Sequence, residues 1–218
     1  MQKYHDRSDA GQTLANLLIN DKNHDNTIVL ALPRGGVPIG YEIAKALKLP
    51  LDVFVVKKLG APFQEELAIG AIAENNVLVL NDDIIDALGI NQQQIENILK
   101  QKKQELATKV EYYSQARKRL NIKSRTVILV DDGIATGSTI KAAIKAIQSM
   151  NPATIIVAVP VASSEAVVDL KFLTDKLICP IVSGNFHAVG QFYENFDQTQ
   201  DEEVKAILKK RLAAERQP

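Results

Sequence analysis

The chain has 218 residues, 46% of them hydrophobic and 24% charged, with 26 Lys and Arg against 26 Asp and Glu. That is enough apolar material for a sizeable core, and the even balance gives no support to a nucleic-acid or anionic-membrane partner, either of which calls for a basic field. No apolar run of about 18 residues and no basic-then-apolar leader occurs, and the single Cys179 excludes an intrachain disulfide framework or a Cys-based zinc cluster; the chain is expected in the cytoplasm, with Cys179 a buried thiol.

Near the N-terminus, SDAGQTLANLL joins an Asp or Ser cap to apolar positions at helical spacing and predicts an added helix over 8–20. TIVLALP then reads as a buried strand, VPIGYEIAKALKL as an amphipathic helix and LDVFVVKK as a second strand, which together make a βαβ unit. In the turn after the first strand, Arg34 offers a fixed fork of donors, and Gly35 and Gly36 remove side chains where the helix begins. Pro33–Gly36 therefore favours an anion. Lys57 and Lys58 close the second strand, and the polar and small residues that follow, LGAPFQEELAIGA, are expected to form a flexible lid or hairpin. Adjacent strand residues point to opposite faces, so only one of the two lysines faces a site there, and Lys57 is favoured.

Over 91–120, Ile95, Ile98, Leu99, Leu106, Val110 and Tyr113 fall on one face of a long helix, suited to core packing or to docking a second copy in a homodimer. The alternation then resumes with RTVILVDD, a helix in GSTIKAAIKAIQSM, a strand in TIIVAVPV, a helix in SSEAVVDLKFL and a strand in DKLICPI. The fold class expected is α/β, a doubly wound, mostly parallel sheet with helices on both faces and its core over about 26–180. Ligands of such sheets lie beyond the carboxyl ends of the strands, where the strand order reverses. The flanking tail over 183–216 ends in DEEVKAILKKRLAAER, a helix with acids first and bases last, as its dipole prefers. No repeat or Pro-rich linker divides the chain, and residues 1–218 read as a single domain.

One stretch, VILVDDGIATGSTI, sets Asp131 and Asp132 at a strand end and runs on into a small-residue turn that opens a helix. Backbone N–H groups at a helix N-terminus, with the hydroxyls of Thr136, Ser138 and Thr139, form an anion site, and Gly133 and Gly137 allow close approach. Carboxylates repel phosphate but accept hydrogen bonds from vicinal hydroxyls, or hold hydrated magnesium. Together these residues describe a ribose 5-phosphate pocket. On spacing alone the competing reading is a receiver-like signalling domain, whose paired acids hold magnesium and which has no ligand at PRGG.

VILVDDGIATGST resembles the phosphoribosyl pyrophosphate motif of the type I phosphoribosyltransferases: an apolar strand, two acids, two variable residues, then a small residue with Thr-Gly-x-Thr. It lacks the Lys of a Walker loop. The resemblance implies that Asp131 and Asp132 hold ribose hydroxyls, that Ala135, Thr136, Gly137, Ser138 and Thr139 bind the 5-phosphate, and that Pro33, Arg34, Gly35 and Gly36 bind the pyrophosphate. It also implies a basic residue at the end of the second strand, here Lys57 or Lys58, and a mobile loop closing over the pyrophosphate. Magnesium would arrive with phosphoribosyl pyrophosphate (PRPP), with Asp131 and Asp132 as candidate ligands. The implied activity is transfer of ribose 5-phosphate to a nitrogenous acceptor such as a nucleobase, with Arg34, the lysine and Mg2+ neutralising the leaving group. The alternative is a non-catalytic regulator that binds the same compound.

One departure narrows the acceptor. The hypoxanthine-guanine branch has an Asp where this chain has Ala135, which argues against a 6-oxopurine. PRGGVPIG, KKLGAPFQEELAIGA, DDGIATGST and FHAVGQFYENFDQTQDEEV together resemble a subgroup of predicted phosphoribosyltransferases whose acceptor is unassigned. In the hood that flanking segments build, Phe186, His187, Phe192 and Tyr193 can stack on a planar ring or form the small core of an accessory layer. His187 is expected at the surface or in packing, and His5 and His24 have no role.

Overall fold

The computed structural model describes residues 3–19, 26–74, 76–117 and 119–215; His24 and the far ends of the helices expected over 8–20 and 183–216 lie outside them. The apolar β-branched runs form a five-stranded parallel sheet of β1 (Thr27–Ala31), β2 (Leu51–Val53), β6 (Thr126–Val130), β7 (Thr154–Ala158) and β9 (Lys176–Ile178), in the order β2-β1-β6-β7-β9. The two-residue period of a strand sorts these side chains onto two faces. Ile28, Leu30, Val127 and Leu129 pack with Ile140, Ile144 and Ile147 of α5 (Ser138–Gln148) and Leu170 of α6 (Ser164–Lys171). Val29, Ala31, Ile128 and Val130 pack with Leu14 and Leu18 of α1 (Arg7–Leu18) and Ile39 and Ile43 of α2 (Gly36–Ala46). Each such buried aliphatic side chain contributes about 1.5–3 kcal/mol relative to exposure.

From β1 the chain steps outward to β2, whereas β6 lies on the other side of β1 and leads on to β7 and β9. The order therefore reverses between β1 and β6, and the loops following these two strands flank one crevice. They are stitched together where the Leu32 N–H donates to the Val130 carbonyl at 2.8 Å.

The run LDVFVVKK is not one strand. β2 ends at Val53, and the chain crosses to a separate antiparallel sheet of β3 (Val56–Ala61), β4 (Gln64–Ala73) and β5 (Val77–Leu80). Lys57 and Lys58 thus lie inside β3 and do not close the second core strand. Asp52 and Arg117 account for the break. Arg117 donates to Asp52 Oδ1 at 3.0 Å, to the Val53 carbonyl at 2.6 Å and to Glu74 Oε2 at 2.7 Å, and all three side chains are at most 5% exposed. The expected lid is this hairpin sheet, set against α4 (Gln92–Ser114) and α5.

The long helix starts at a capping box between Asn91 and Gln94 and ends at Ser114, short of 120. Its expected face is the one it buries, with Ile95, Leu106 and Tyr113 in the core and Ile98, Leu99 and Val110 against it. α1 is capped by the Asp6 carboxylate, which accepts the Asp9 N–H at 2.9 Å. α7 (Asp201–Glu215) begins with acids, but its described last turn carries no base. Arg211 instead donates to the Leu49 carbonyl at 2.9 and 2.7 Å, fastening the helix to the end of α2. β8 (Val161–Ser163) and β10 (Ile181–Ser183) make a small parallel pair, which precedes a 3-10 turn at Val189–Phe192. No described helix is long and apolar enough to cross a membrane.

Candidate functional site

Both switch-point loops are shaped by close approach. Asp131 and Asp132 follow directly on β6, and the turn after them runs to Gly137, whose φ of 76° is a left-handed conformation suited to glycine, before α5 begins at Ser138. Across the crevice the chain passes from β1 through Pro33 and Arg34, joined by a cis peptide bond, into Gly35 and α2. A Cβ on Gly35 would lie 1.9 Å from Asp132 Oδ2, so the absent side chain is what lets the carboxylate sit against this turn.

The N–H groups of Ala135, Thr136, Gly137, Ser138 and Thr139 find no acceptor among the described residues, as expected for a helix N-terminus left open to an anion. The loop is braced from behind. Ser163 donates to the Ala135 carbonyl at 2.6 Å, and the Ile134 N–H donates to the Val161 carbonyl at 3.0 Å. Thr136 and Ser138 share a hydrogen bond of 3.1 Å and border a cleft of about 890 Å³ running to Lys141, Leu67 and Ala71.

The two acids are not equivalent. Asp131 Oδ1 accepts the Asp132 N–H at 2.9 Å, and Oδ2 takes no hydrogen bond among the described residues. Burial, reinforced by repulsion from Asp132, holds the Asp131 carboxyl well above the ordinary carboxylate range. Burial also raises Asp132, and the Arg7 guanidinium opposes that shift. Arg7 donates from Nε at 3.0 Å and from Nη2 at 2.8 Å, both to Asp132 Oδ2, which leaves Oδ1 open. The Tyr193 hydroxyl donates to the Asp132 carbonyl at 2.7 Å.

Arg34 reaches away from the acids towards α7, with Nη1 3.9 Å from Asp201 Oδ2. Asp201 also accepts Lys109 and the Tyr113 hydroxyl, each at 2.5 Å. Desolvation alone would raise Asp201, but these hydrogen bonds and the charges of Lys109 and Arg34 bring it below the usual range. Lys57 lies 3.5 Å from Glu105 and lines a cleft of about 560 Å³ with Lys109, Tyr112 and Asp201. Lys58 comes next along β3 and points to its other face. The crevice thus joins Asp131, Asp132, the Ala135–Thr139 turn and the Pro33–Gly36 turn, and Lys57 lines a cleft with Asp201, the residue towards which Arg34 reaches.

Of the aromatic hood, Phe192 and Tyr193 are buried, Phe192 against Phe186 at 5.1 Å between ring centroids and Tyr193 against Phe196 at 4.9 Å. They form the core of the accessory layer and are not free to stack on a ring. His187 is exposed, and His5, also exposed, pairs with Glu194 at 3.0 Å. The Cys179 thiol is partly buried, donates to the Ile181 carbonyl at 3.3 Å and is pushed by burial up to about 12. Sequence reading missed Arg7, and it placed Tyr193 in the hood without its hold on Asp132. One signal for Arg7 was available: it is the first residue of α1, at the positive end of the helix dipole, where a cation is disfavoured unless it has a partner elsewhere.

The sequence model of the phosphoribosyl transferase domain matches residues 2–197. Two Mycobacterium tuberculosis proteins, from strains CDC 1551 and H37Rv and each named "Putative phosphoribosyl transferase", are 41% identical over 208 residues, 95% of this chain and 47% of theirs. The chain therefore spans about half the length of the curated relatives it matches. Among solved structures, TT1426 from Thermus thermophilus is similar with a TM-score of 0.86 at 38% identity, over 96% of this chain and 99% of that one. A purine phosphoribosyltransferase from Pyrococcus horikoshii Ot3 shares the fold, with a TM-score of 0.50 at 15% identity over 89% and 93% of the two chains. A match over nearly the whole chain, on a doubly wound sheet with paired acids and a turn of open N–H groups at its switch point, means that the chain belongs to the phosphoribosyl transferase domain family.

Proposed function

We propose that this chain transfers ribose 5-phosphate from PRPP to a nitrogenous acceptor, a nucleobase or a related compound, as a cytoplasmic enzyme of small molecules. The bond from the anomeric carbon to the pyrophosphate oxygen breaks, pyrophosphate leaves with the electron pair, and the acceptor nitrogen bonds to that carbon as its proton passes to solvent. One observation carries the reading: open oxygens on Asp131 and Asp132 stand at the head of a turn whose N–H groups have no acceptor among the described residues, across a crevice from the Arg34 turn. A ligand with vicinal hydroxyls, a phosphate and a second anionic group fits that set of donors and acceptors.

In this reading Asp131 and Asp132 accept the ribose hydroxyls and orient the sugar. Ala135 to Thr139 hold the 5-phosphate through backbone N–H groups and the hydroxyls of Thr136, Ser138 and Thr139. Pro33 to Gly36 receive the pyrophosphate, with Arg34 and Lys57 countering its growing charge. The β3–β4 hairpin excludes water from the anomeric carbon. No group of three or more potential ligand residues among the described ones could cage a metal, yet the open carboxylate oxygens suit a hard cation held jointly with substrate phosphates. Such a magnesium ion, when bound, would supply further neutralisation of the diphosphate. Ala135 leaves no carboxylate beside the turn for a 6-oxopurine.

The test is to incubate the protein with PRPP, magnesium and a panel of bases and to follow pyrophosphate release. Release that depends on one of the bases is expected. Binding without release on any base would favour a non-catalytic effector site, and absence of binding would remove both readings.

A further inference from the structure

Asp132 is gripped at two points by residues far away in the sequence. Its carbonyl takes the Tyr193 hydroxyl, and its carboxylate takes Arg7 Nε and Nη2 at 3.0 and 2.8 Å. The guanidinium is itself fixed, because Nη1 donates to the Asp197 carbonyl at 2.7 Å and Cζ lies 3.9 Å from the centroid of the Phe196 ring. The Arg7 side chain is 12% exposed and that of Asp132 17%, so this is no loose surface pair. The backbone supports the same arrangement. The Tyr4 N–H donates to the Phe192 carbonyl at 2.9 Å, and the Glu194 N–H returns to the Tyr4 carbonyl at 2.8 Å.

Both Arg7 donors converge on a single oxygen. Two bare carboxylates at neighbouring positions would repel each other and any phosphate brought near them. With Arg7 on Oδ2, Asp132 counts as nearly neutral towards phosphate while Oδ1 stays open as an acceptor. We propose that Arg7 is a positioning residue for the ribose hydroxyls: it locks Asp132 through Oδ2, so that Asp132 Oδ1 and Asp131 Oδ2 are left as the acceptors for a vicinal diol. This inference rests on the PRPP reading above. The site is then complete only when the segment 192–197 is docked against the start of α1, since that segment supplies the carbonyl and the ring that hold the guanidinium.

The experiment compares Arg7→Gln and Arg7→Lys with the parent protein by calorimetry, using PRPP and, separately, inorganic pyrophosphate, both with magnesium. Pyrophosphate has no hydroxyls for the acids. Arg7→Gln is expected to weaken PRPP binding about tenfold or more and pyrophosphate binding less than about twofold. A purely structural role would weaken both probes alike. Arg7→Lys keeps the charge without the fork, and should lose about threefold or more in PRPP affinity while pyrophosphate binding changes less than about twofold. Equal loss for both probes, or no change for PRPP in either variant, overturns the inference. If Arg7→Gln fails to fold, the same comparison on Arg7→Lys decides. A parent protein that does not bind PRPP sinks the underlying reading as well, whereas a parent that binds beside indifferent variants sinks this inference alone.

Discussion

At the scale of single residues, the site sets function against stability. Asp131 is held above its ordinary titration range by burial and by Asp132, so its ionised form is unfavourable in the ligand-free fold. The sign is that of a raised folded pKa: the stability it lends is full below the unfolded value and is lost as pH rises through the folded one. Asp131→Asn should therefore stabilise the ligand-free protein at neutral pH by about 1 kcal/mol, or about 3 °C in Tm, while it weakens PRPP binding. Because hydroxyls donate to the ionised carboxylate, PRPP affinity should rise with pH across that same interval, above the usual carboxylate range. Calorimetry from about pH 5 upward checks both trends, and a flat affinity profile would contradict them. Gly35→Ala tests the packing of the same pair of acids. A Cβ there collides with an Asp132 carboxylate that Arg7 prevents from swinging away, and about tenfold weaker PRPP binding is expected. DDGIATGST and PRGG were legible because each is contiguous and its chemistry is local. Arg7 was not, because its partner lies 125 residues further along and nothing local marks the pairing beyond a cation at the wrong end of a helix dipole.

At the scale of elements, the sequence misled where one apolar run served two sheets. LDVFVVKK has the composition of one strand, and the break after Val53 depends on Arg117, which is brought to Asp52 and Glu74 only by the fold. Asp52 inside an apolar run was the visible hint. Arg117→Ala would leave buried Asp52 without a cation and Glu74 with Arg119 alone, at 3.7 Å, and should cost about 3–5 kcal/mol in urea unfolding. A loss under about 1 kcal/mol would mean that this junction does not depend on the triad. The hairpin that follows carries Lys57, which lines a cleft with Asp201, the residue towards which Arg34 reaches. Lys57→Ala is expected to lower turnover about tenfold or more while changing PRPP affinity only a fewfold, because the leaving group gains charge as the bond breaks. Equal effects on both would remove Lys57 from that role.

At the scale of the whole molecule, periodicity gave the alternating strands and helices and with them the switch point, since buried parallel strands carry their signal in consecutive residues. The segments outside that core were legible as elements but not in their contacts. The aromatic cluster around Phe192 and Tyr193 turned inward, where it joins the start of the chain to its later part and holds Asp132 from behind. α7 has a related place: Asp201 takes Lys109, Tyr113 and Arg34, and these partners keep its carboxyl below the usual range. Its contribution is present above the ordinary carboxylate pKa and fades as pH falls through the depressed value, so α7 should loosen only in acid. The central claim is that the crevice between β1 and β6 holds a ribose carrying phosphate and pyrophosphate. The most direct measurement is the binding of PRPP with magnesium to the parent protein and to the double variant Asp131→Asn, Asp132→Asn at neutral pH. Saturable binding by the parent and a loss of about a hundredfold or more in the double variant are expected; no binding by the parent, or equal binding by the two, would contradict that claim.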